Sequence, residues 1–108
     1  MYSINRAAIV VRPKKPFFDW ARSLEGGLPE NTEAWCSVYL GEAAENDEPV
    51  EVLRRHFAAI FDEQLASWYR VVDDWPAPRP FALFEQWFDA EVIDLVFDLS
   101  EESPKHDE

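Results

Sequence analysis

Residues 75–99 read WPAPRPFALFEQWFDAEVIDLVFDL and hold the densest aromatic and aliphatic content of the chain. The three prolines at its start fix the backbone angle φ and remove amide donors, so the stretch is predicted to open with a rigid connector. Pro80 suits the first position of a helix, where its missing N–H would have no intrahelical partner. The spacing of Phe81, Phe84 and Phe88 then predicts a short buried helix.

The end of this stretch, residues 92–99, fits two structures. Its apolar and polar residues alternate as in a half-buried strand, but a helical stripe running on from Phe81 fits the spacing as well. We favour the strand, because the segment is rich in Val, Ile and Phe and because an isolated two-stranded sheet is marginal. In that strand the core-facing side carries Ile93, Leu95, Phe97 and Leu99, and the other side carries Asp94, Val96 and Asp98.

The composition fits one folded domain. Of 108 residues, 47% are hydrophobic and 30% are charged, and five Trp, eight Phe and three Tyr are present. We expect a domain over residues 1–100 that buries roughly 65% of its unfolded surface, followed by a charged tail over residues 101–108. The N-terminus lacks the apolar core of a signal peptide, and the apolar run over residues 7–11 is too short to cross a bilayer. The sequence thus predicts a cytoplasmic protein that makes no contact with a membrane.

The formal net charge of −12 is unevenly spread along the chain. Residues 1–22 carry five basic groups against one acidic group, a balance of +4, which leaves −16 for residues 23–108. Phosphate contacts supply most of the affinity of nucleic-acid-binding proteins, so this charge argues against direct nucleic-acid binding. An acidic surface instead favours a basic protein as partner.

Two further segments, residues 4–11 and 35–40, alternate as strands do. The roughly twenty residues between them are enough for a parallel crossover, which would be right-handed. In the first strand two arginines share a face, and we expect them to pair with carboxylates of the last strand: Arg6 and Arg12 with Asp94 and Asp98. In the second strand the core-facing side carries Cys36, Val38 and Leu40, and the other side carries Trp35, Ser37 and Tyr39.

Two more helices are predicted. One begins at Pro16 and ends at Gly26-Gly27. The other spans residues 49–69, and its apolar stripe consists of Val50, Leu53, Phe57, Ile60, Phe61, Leu65 and Trp68. Lys14 and Lys15, just ahead of the first helix, suggest a weak anion-binding site, but no glycine-rich loop accompanies them. Solvated lysines that contact the protein's own acidic surface are the more ordinary interpretation.

Candidate catalytic groups are sparse. Cys36 is expected to be a buried inert thiol, with a nucleophile as the alternative. His56 and Glu63 lie two turns apart on the long helix and are expected to be surface residues. The acidic residues that could in principle bind a cation or act as an acid/base pair are Asp73, Asp74, Asp89, Glu91, Asp94 and Asp98. No known metal-loop spacing accompanies them, so we predict no metal and no cofactor.

The two ends of the chain carry recognisable motifs. NRAAIVVRPKKPFFDW near the N-terminus and WPAPRPFALFEQWFDAEVIDLVFDL near the C-terminus resemble those of a family of small acidic bacterial proteins of uncharacterised function. In that family an NRxxxVVRPKxPFxDW opening precedes WPxxRxFxxFxxWFDxE and VxDL. The resemblance implies no activity. It does suggest that the turn over residues 12–14 and the connector over residues 75–79 matter to the fold or to binding.

These observations predict a two-layer α+β domain with the element order β-α-β-α-α-β. Its three strands would form one sheet, with three helices packed on one face. The uncovered face would then be a binding surface that carries Arg6, Arg12, Trp35, Tyr39, Asp94, Val96 and Asp98. We therefore expect a non-catalytic module that binds a protein partner or itself. The alternatives are an acidic decoy that occupies the basic site of a nucleic-acid-binding protein, and a small-ligand or metal-dependent enzyme that uses the Asp89 to Asp98 carboxylates.

Overall fold

The computed structural model describes residues 2–4, 6–24 and 35–100. In chain order the described elements are β1 (Tyr2–Ile4), β2 (Ala7–Pro13), α1 (Lys15–Arg22), β3 (Ser37–Gly41), α2 (Pro49–Trp68), a 3₁₀ turn (Val72–Asp74), α3 (Phe81–Trp87), β4 (Phe88–Ile93) and β5 (Val96–Asp98). These residues form an α+β fold with three helices, as the sequence predicts. The predicted helix end at Gly26-Gly27 and the predicted tail over residues 101–108 lie outside the described residues.

The main sheet has the strand order β3-β2-β4, so β2 lies at its centre. Both pairings are antiparallel, with Ile9 opposite Tyr39 on one side and opposite Val92 on the other. The predicted parallel crossover is therefore wrong. A connection of this length permits a parallel crossover but does not require one, since a helix followed by a loop can also return the chain in the opposite direction. Beyond the main sheet, β1 and β5 form a separate antiparallel pair.

The core lies between the helices and one face of the main sheet. Ile9 on β2 is fully buried, and each packed element adds a large aromatic ring: Phe17 from α1, Phe61 from α2, Phe84 from α3 and Phe88 from β4. The Phe61 and Phe88 rings meet edge to face, with their centroids 5.3 Å apart. This geometry is favourable because the positive edge of one ring meets the negative face of the other.

The stretch over residues 75–99 forms both a helix and strands. α3 begins at Phe81, one residue after Pro80, and Phe81, Phe84 and Phe88 are buried as predicted. The strand begins earlier than predicted, because β4 follows α3 directly at Phe88 and pairs along β2 as far as Pro13. The amide of Lys14 extends this pairing with a 2.8 Å hydrogen bond to the Trp87 carbonyl. Two residues outside the sheet, Asp94 and Leu95, then separate β4 from β5.

The connector before α3 is anchored at both ends. The Trp75 indole Nε1 donates to the Tyr69 carbonyl at 2.7 Å, and Trp20 of α1 donates to the Asp74 carbonyl at 2.9 Å. Arg79 forms an ion pair with Asp62 of α2 at 2.8 Å. These contacts tie the connector to two helices.

α2 confirms the prediction of a long helix, and Ile60, Phe61 and Leu65 of its predicted stripe are buried. The stripe is wrong at its first residue, because Val50 in the first turn is 45% exposed. It also omits Gln64, which is a buried polar residue.

The strand β3 presents the opposite face to the core from the one predicted. Ser37 and Tyr39 face α2, where Gln64 donates hydrogen bonds to both hydroxyls, whereas Val38 and Leu40 are exposed. Cys36, on the same side of the alternation as those two apolar residues, is exposed and not buried. Alternation divides a strand into two sets of residues but does not specify which set meets the helices. Here the hydrogen bonds to Gln64 hold the polar set inside.

Candidate functional site

The face of the main sheet that lies away from the helices is the candidate functional site, and we call it the outer sheet face. Cross-strand neighbours form rows on it. Leu40, Ala8 and Ile93 form one row, and Val38, Val10 and Glu91 form the next. Arg12 and Asp89 form a third row across β2 and β4. The face therefore changes from apolar at one end to charged at the other.

The apolar end of the outer sheet face is open to solvent. Val38 is 60% exposed, Leu40 is 48% exposed and Ile93 is 38% exposed. In the described part of the chain, all of the helices contribute to the core on the opposite side of the sheet. Large apolar side chains grouped in this way on a surface are typical of a contact site.

The exposed apolar pattern continues beyond the main sheet. At alternate positions after Ile93, Leu95 is 67% exposed, Phe97 is 52% exposed and Leu99 is 80% exposed. The prediction that these four residues face the core is wrong. The single strand predicted over residues 92–99 is also wrong, because β4 ends at Ile93 and β5 (Val96–Asp98) pairs with β1 in a separate sheet.

The residues predicted for the uncovered face separate into three places. Arg12 alone lies on the outer sheet face, opposite Asp89. Trp35 and Tyr39 lie on the helix side, where Trp35 packs against Trp68 with ring centroids 5.4 Å apart. The predicted position of these two aromatic residues is therefore wrong, because the strand faces are exchanged. The remaining predicted residues, Arg6, Asp94, Val96 and Asp98, lie near or beyond the end of the main sheet.

The predicted arginine–aspartate pairs do not form. Arg12 is opposite Asp89, while Asp98 is opposite Tyr2 in the β1–β5 pair. Arg6 and Asp94 do line the same cleft, of about 580 Å³, at the end of the sheet. The strand register explains the difference, because β4 begins at residue 88 and so aligns Arg12 with an earlier carboxylate.

A second feature, which the sequence analysis missed, is the groove between β3 and α2. Gln64 Nε2 donates to the Tyr39 hydroxyl at 2.7 Å and to the Ser37 hydroxyl at 3.1 Å. Burial raises the pKa of the Tyr39 phenol; the hydrogen bond from Gln64 lowers it, and the negative charge of Glu63 raises it further. An amide within an apolar helix stripe, as Gln64 is between Ile60 and Trp68, is the sequence signal that indicates such a buried contact.

The lysines of the predicted anion site contact the protein itself. Lys15 forms an ion pair with Asp19 at 2.7 Å, and Lys14 Nζ donates to the Glu85 carbonyl at 3.1 Å. Lys15 thus contacts an acidic group of its own chain, as the more ordinary interpretation expects, whereas Lys14 contacts a backbone carbonyl. The ammonium groups of both lysines therefore interact with groups of this chain.

The carboxylates considered for metal binding or catalysis are dispersed. Asp89 and Glu91 lie on the outer sheet face, whereas Asp73 and Asp74 lie in the 3₁₀ turn. Among residues 2–4, 6–24 and 35–100, no three His, Cys, Asp or Glu side chains are grouped so that they could hold a metal ion. The geometry therefore lends no support to a cation site.

Comparison of the chain with protein families, with curated proteins and with solved structures finds no match. The resemblance based on the two terminal motifs stays a prediction. Within the described residues, no helix is both long enough and apolar enough to span a membrane.

Proposed function

We propose that this chain is a non-catalytic protein-interaction module whose outer sheet face binds a protein partner. The observation that carries the proposal is the exposure of Val38, Leu40 and Ile93 on a sheet face opposite the helices. A partner that covers these side chains removes their apolar surface from water, which contributes about 25 cal/mol for each Å² buried.

The charges near this apolar area indicate the chemistry of the partner. Asp89 and Glu91 flank it on β4, and Arg12 is the basic residue of the outer sheet face. The whole chain carries a net charge of −12. Two copies would repel each other, whereas a partner that presents an apolar patch beside Lys or Arg would be attracted. A protein partner with basic residues beside an apolar patch is therefore favoured over self-association.

The acidic decoy is the alternative that the net charge supports, and it makes a different prediction about salt. Contacts between exposed charges are screened beyond about 8 Å at physiological ionic strength, so a decoy complex should dissociate as salt rises. Burial of apolar side chains is not screened. A complex formed through the outer sheet face should therefore persist at high salt.

Site-specific photo-crosslinking tests the proposal. A photoreactive phenylalanine analogue replaces Leu40 on the outer sheet face or, as the control, Ala82 on the exposed side of α3. The expected result, in cells of the source organism, is a crosslink to a protein with exposed basic residues from position 40 and no crosslink from position 82. Equal crosslinking from both positions, or from neither, would overturn the proposal. Fluorescent labelling in the same cells would test the predicted cytoplasmic location.

A further inference from the structure

The strand β3 is an edge of the main sheet. It pairs with β2 on one side only, and in the described part of the chain no other strand lies beside it. In an edge strand, the backbone N–H and C=O groups that point away from the neighbouring strand are unpaired. These groups are available to pair with a further strand. β3, with the sequence SVYLG, contains no charged residue. It therefore lacks the lysine that commonly keeps a further strand from pairing with an exposed edge.

Two clefts lie along β3 where α2 packs beside the strand, and together we call them the groove between β3 and α2. The first, near Gly41, has a volume of about 250 Å³, with Ile9 and Ile60 in its lining and Glu63 on the helix side. This cleft is smaller than a typical small-molecule site, which spans roughly 300–1,000 Å³. It has room for a single aliphatic side chain.

Gly41 shapes this cleft. A Cβ at this position would lie 2.8 Å from Nε2 of His56, closer than atoms of this kind pack. The glycine lets the His56 ring lie against the strand, where Nε2 is 2.9 Å from the Glu42 carbonyl oxygen. The His56 imidazole, held against the backbone in this way, forms part of the lining of the cleft.

The second cleft, of about 370 Å³, lies at the other end of β3 and is more polar. Its lining includes Cys36, Ser37, Gln64 and Ser67. The residues that the β3 segment contributes to the two linings are centred on Leu40 and Cys36, four residues apart, which corresponds to roughly 14 Å at 3.4 Å per residue. An extended peptide of about five residues spans that distance.

We propose that the groove between β3 and α2 binds an extended peptide, which adds a strand to the edge of β3 and places an aliphatic side chain in the cleft at Gly41. Main-chain hydrogen bonds to β3 supply affinity in this mode, and alternate side chains of the peptide supply specificity. Glu63 at the cleft, with Glu42 beside β3, favours a Lys or Arg next to the aliphatic residue. Leu40 borders both the cleft and the outer sheet face, but the other residues that line the cleft belong to the helix side of the sheet and to α2. This proposal therefore does not depend on the proposed function.

A second copy of this chain is the competing occupant of the edge. Its own β3 carries the apolar residues Val38 and Leu40, but its net charge of −12 opposes close approach of two copies. A short peptide with basic residues meets no such repulsion. The net negative charge of the chain therefore favours a basic peptide over a second copy of the chain as the occupant of this edge.

The test uses a displayed library of random decapeptides, selected on the full chain. Enriched peptides are then synthesised and titrated against the chain and two variants. Ala59→Trp fills the cleft from α2, and Ala82→Trp makes the same change on the exposed side of α3. We expect peptides with an aliphatic residue beside Lys or Arg, a loss of affinity of at least about tenfold in A59W, and unchanged affinity in A82W. Glu63→Lys should weaken the same peptides while leaving the fold intact.

Amide hydrogen exchange followed by NMR supplies the second readout. Bound peptide should slow exchange at those β3 amides that do not pair with β2, because a new strand would accept their hydrogens. Failure to enrich any peptide, or equal binding to A59W, would overturn the proposal. Loss of binding in Ile93→Lys on the outer sheet face, without loss in A59W, would also overturn it. Dimerisation of the chain in light scattering that is abolished by substitutions in β3 would do the same. Because Leu40 also borders the cleft, the photo-crosslinking test is repeated in A59W: a crosslink from position 40 that persists in A59W reports the outer sheet face, and one that is lost reports the cleft.

Discussion

The two faces of the main sheet differ in how their side chains are used. On the helix side, Ile9 and Val11 are fully buried and Phe88 packs among other rings. On the outer side, Val38 and Leu40 are about half exposed. The edge strand β3 turns its hydroxyl groups toward α2 and its apolar groups toward solvent, the reverse of an ordinary half-buried strand.

Not all apolar residues of the main sheet are therefore buried by the helices, since Val38 and Leu40 lie on the side that the helices do not cover. The helix side tolerates the polar residues of β3 because Gln64 donates a hydrogen bond to Ser37 and to Tyr39. Buried polar groups that are satisfied in this way are not destabilising in the manner of unpaired ones. The apolar residues of the same strand then remain on the outer side, where none of the described helices covers them.

The largest difference should come from truncating one buried phenylalanine of the main sheet and one exposed phenylalanine of β5, which continues the exposed apolar pattern. Phe88→Ala removes a ring that is 2% exposed and should lower the free energy of unfolding by about 3–5 kcal/mol. Phe97→Ala removes a ring that is 52% exposed and should lower it by less than about 1 kcal/mol. Urea denaturation followed by tryptophan fluorescence measures both. Equal losses would contradict the assignment of Phe97 to an uncovered surface.

A matched pair of valine substitutions sharpens the comparison. Val11→Thr places a hydroxyl at a fully buried position and should lower the free energy of unfolding by about 1–3 kcal/mol. Val38→Thr makes the same chemical change at a position that is 60% exposed and should change stability by less than about 0.5 kcal/mol. Thermal unfolding of both variants tests this. A larger loss of stability in V38T than in V11T would contradict the difference in burial between the two faces.

The buried amide gives a prediction of intermediate size. Gln64→Ala leaves the Tyr39 and Ser37 hydroxyls without their donor and should lower the free energy of unfolding by about 1–3 kcal/mol. Gln86→Ala on the exposed side of α3 is the control and should have little effect. Chemical denaturation of the two variants measures the contrast. Similar stability of Q64A and Q86A would show that the hydrogen bonds do not hold β3 in its orientation.

The smallest effect concerns the acidic loop ahead of α2. The Ala44 amide, which donates to Asp47 at 2.7 Å, and then Arg55 lower the Asp47 carboxyl pKa below its usual 3.8. A lowered folded-state pKa stabilises the fold above the unfolded pKa, and this contribution is lost as pH falls through the folded value. The stability difference between the wild-type chain and Asp47→Asn should therefore shrink below about pH 4. A difference that grows with acid in thermal unfolding would contradict this sign.

The central and edge strands show how far sequence reasoning reaches. For β2 the sequence places Arg12 on the uncovered side, and the structure agrees, because Ala7, Ile9 and Val11 on the opposite side are buried. For β3 the two sets were separated correctly, but the wrong one was placed inside. Apolar content normally decides this choice, and here a distant residue, Gln64, decides it instead.

The site was less predictable than the fold, because it too depends on contacts between residues that are far apart along the chain. The rows of the outer sheet face depend on the register of β4 against β2, which begins at Phe88 opposite Pro13. Nothing in the spacing of the aromatic residues indicates that the chain leaves the helix at Trp87 without an intervening loop. The groove at Gly41 likewise depends on a contact with His56, which is fifteen residues away along the chain.

The most direct test of the central claim, that the outer sheet face binds a protein partner, is an affinity measurement on the partner identified by crosslinking. Titration calorimetry at low and at high salt would compare the wild-type chain with Leu40→Asp and with the control Ala82→Asp. We predict a loss of at least about tenfold for L40D at both salt concentrations and no loss for A82D. Equal affinity of the two variants, or a complex that dissociates at high salt whichever residue is changed, would contradict the claim.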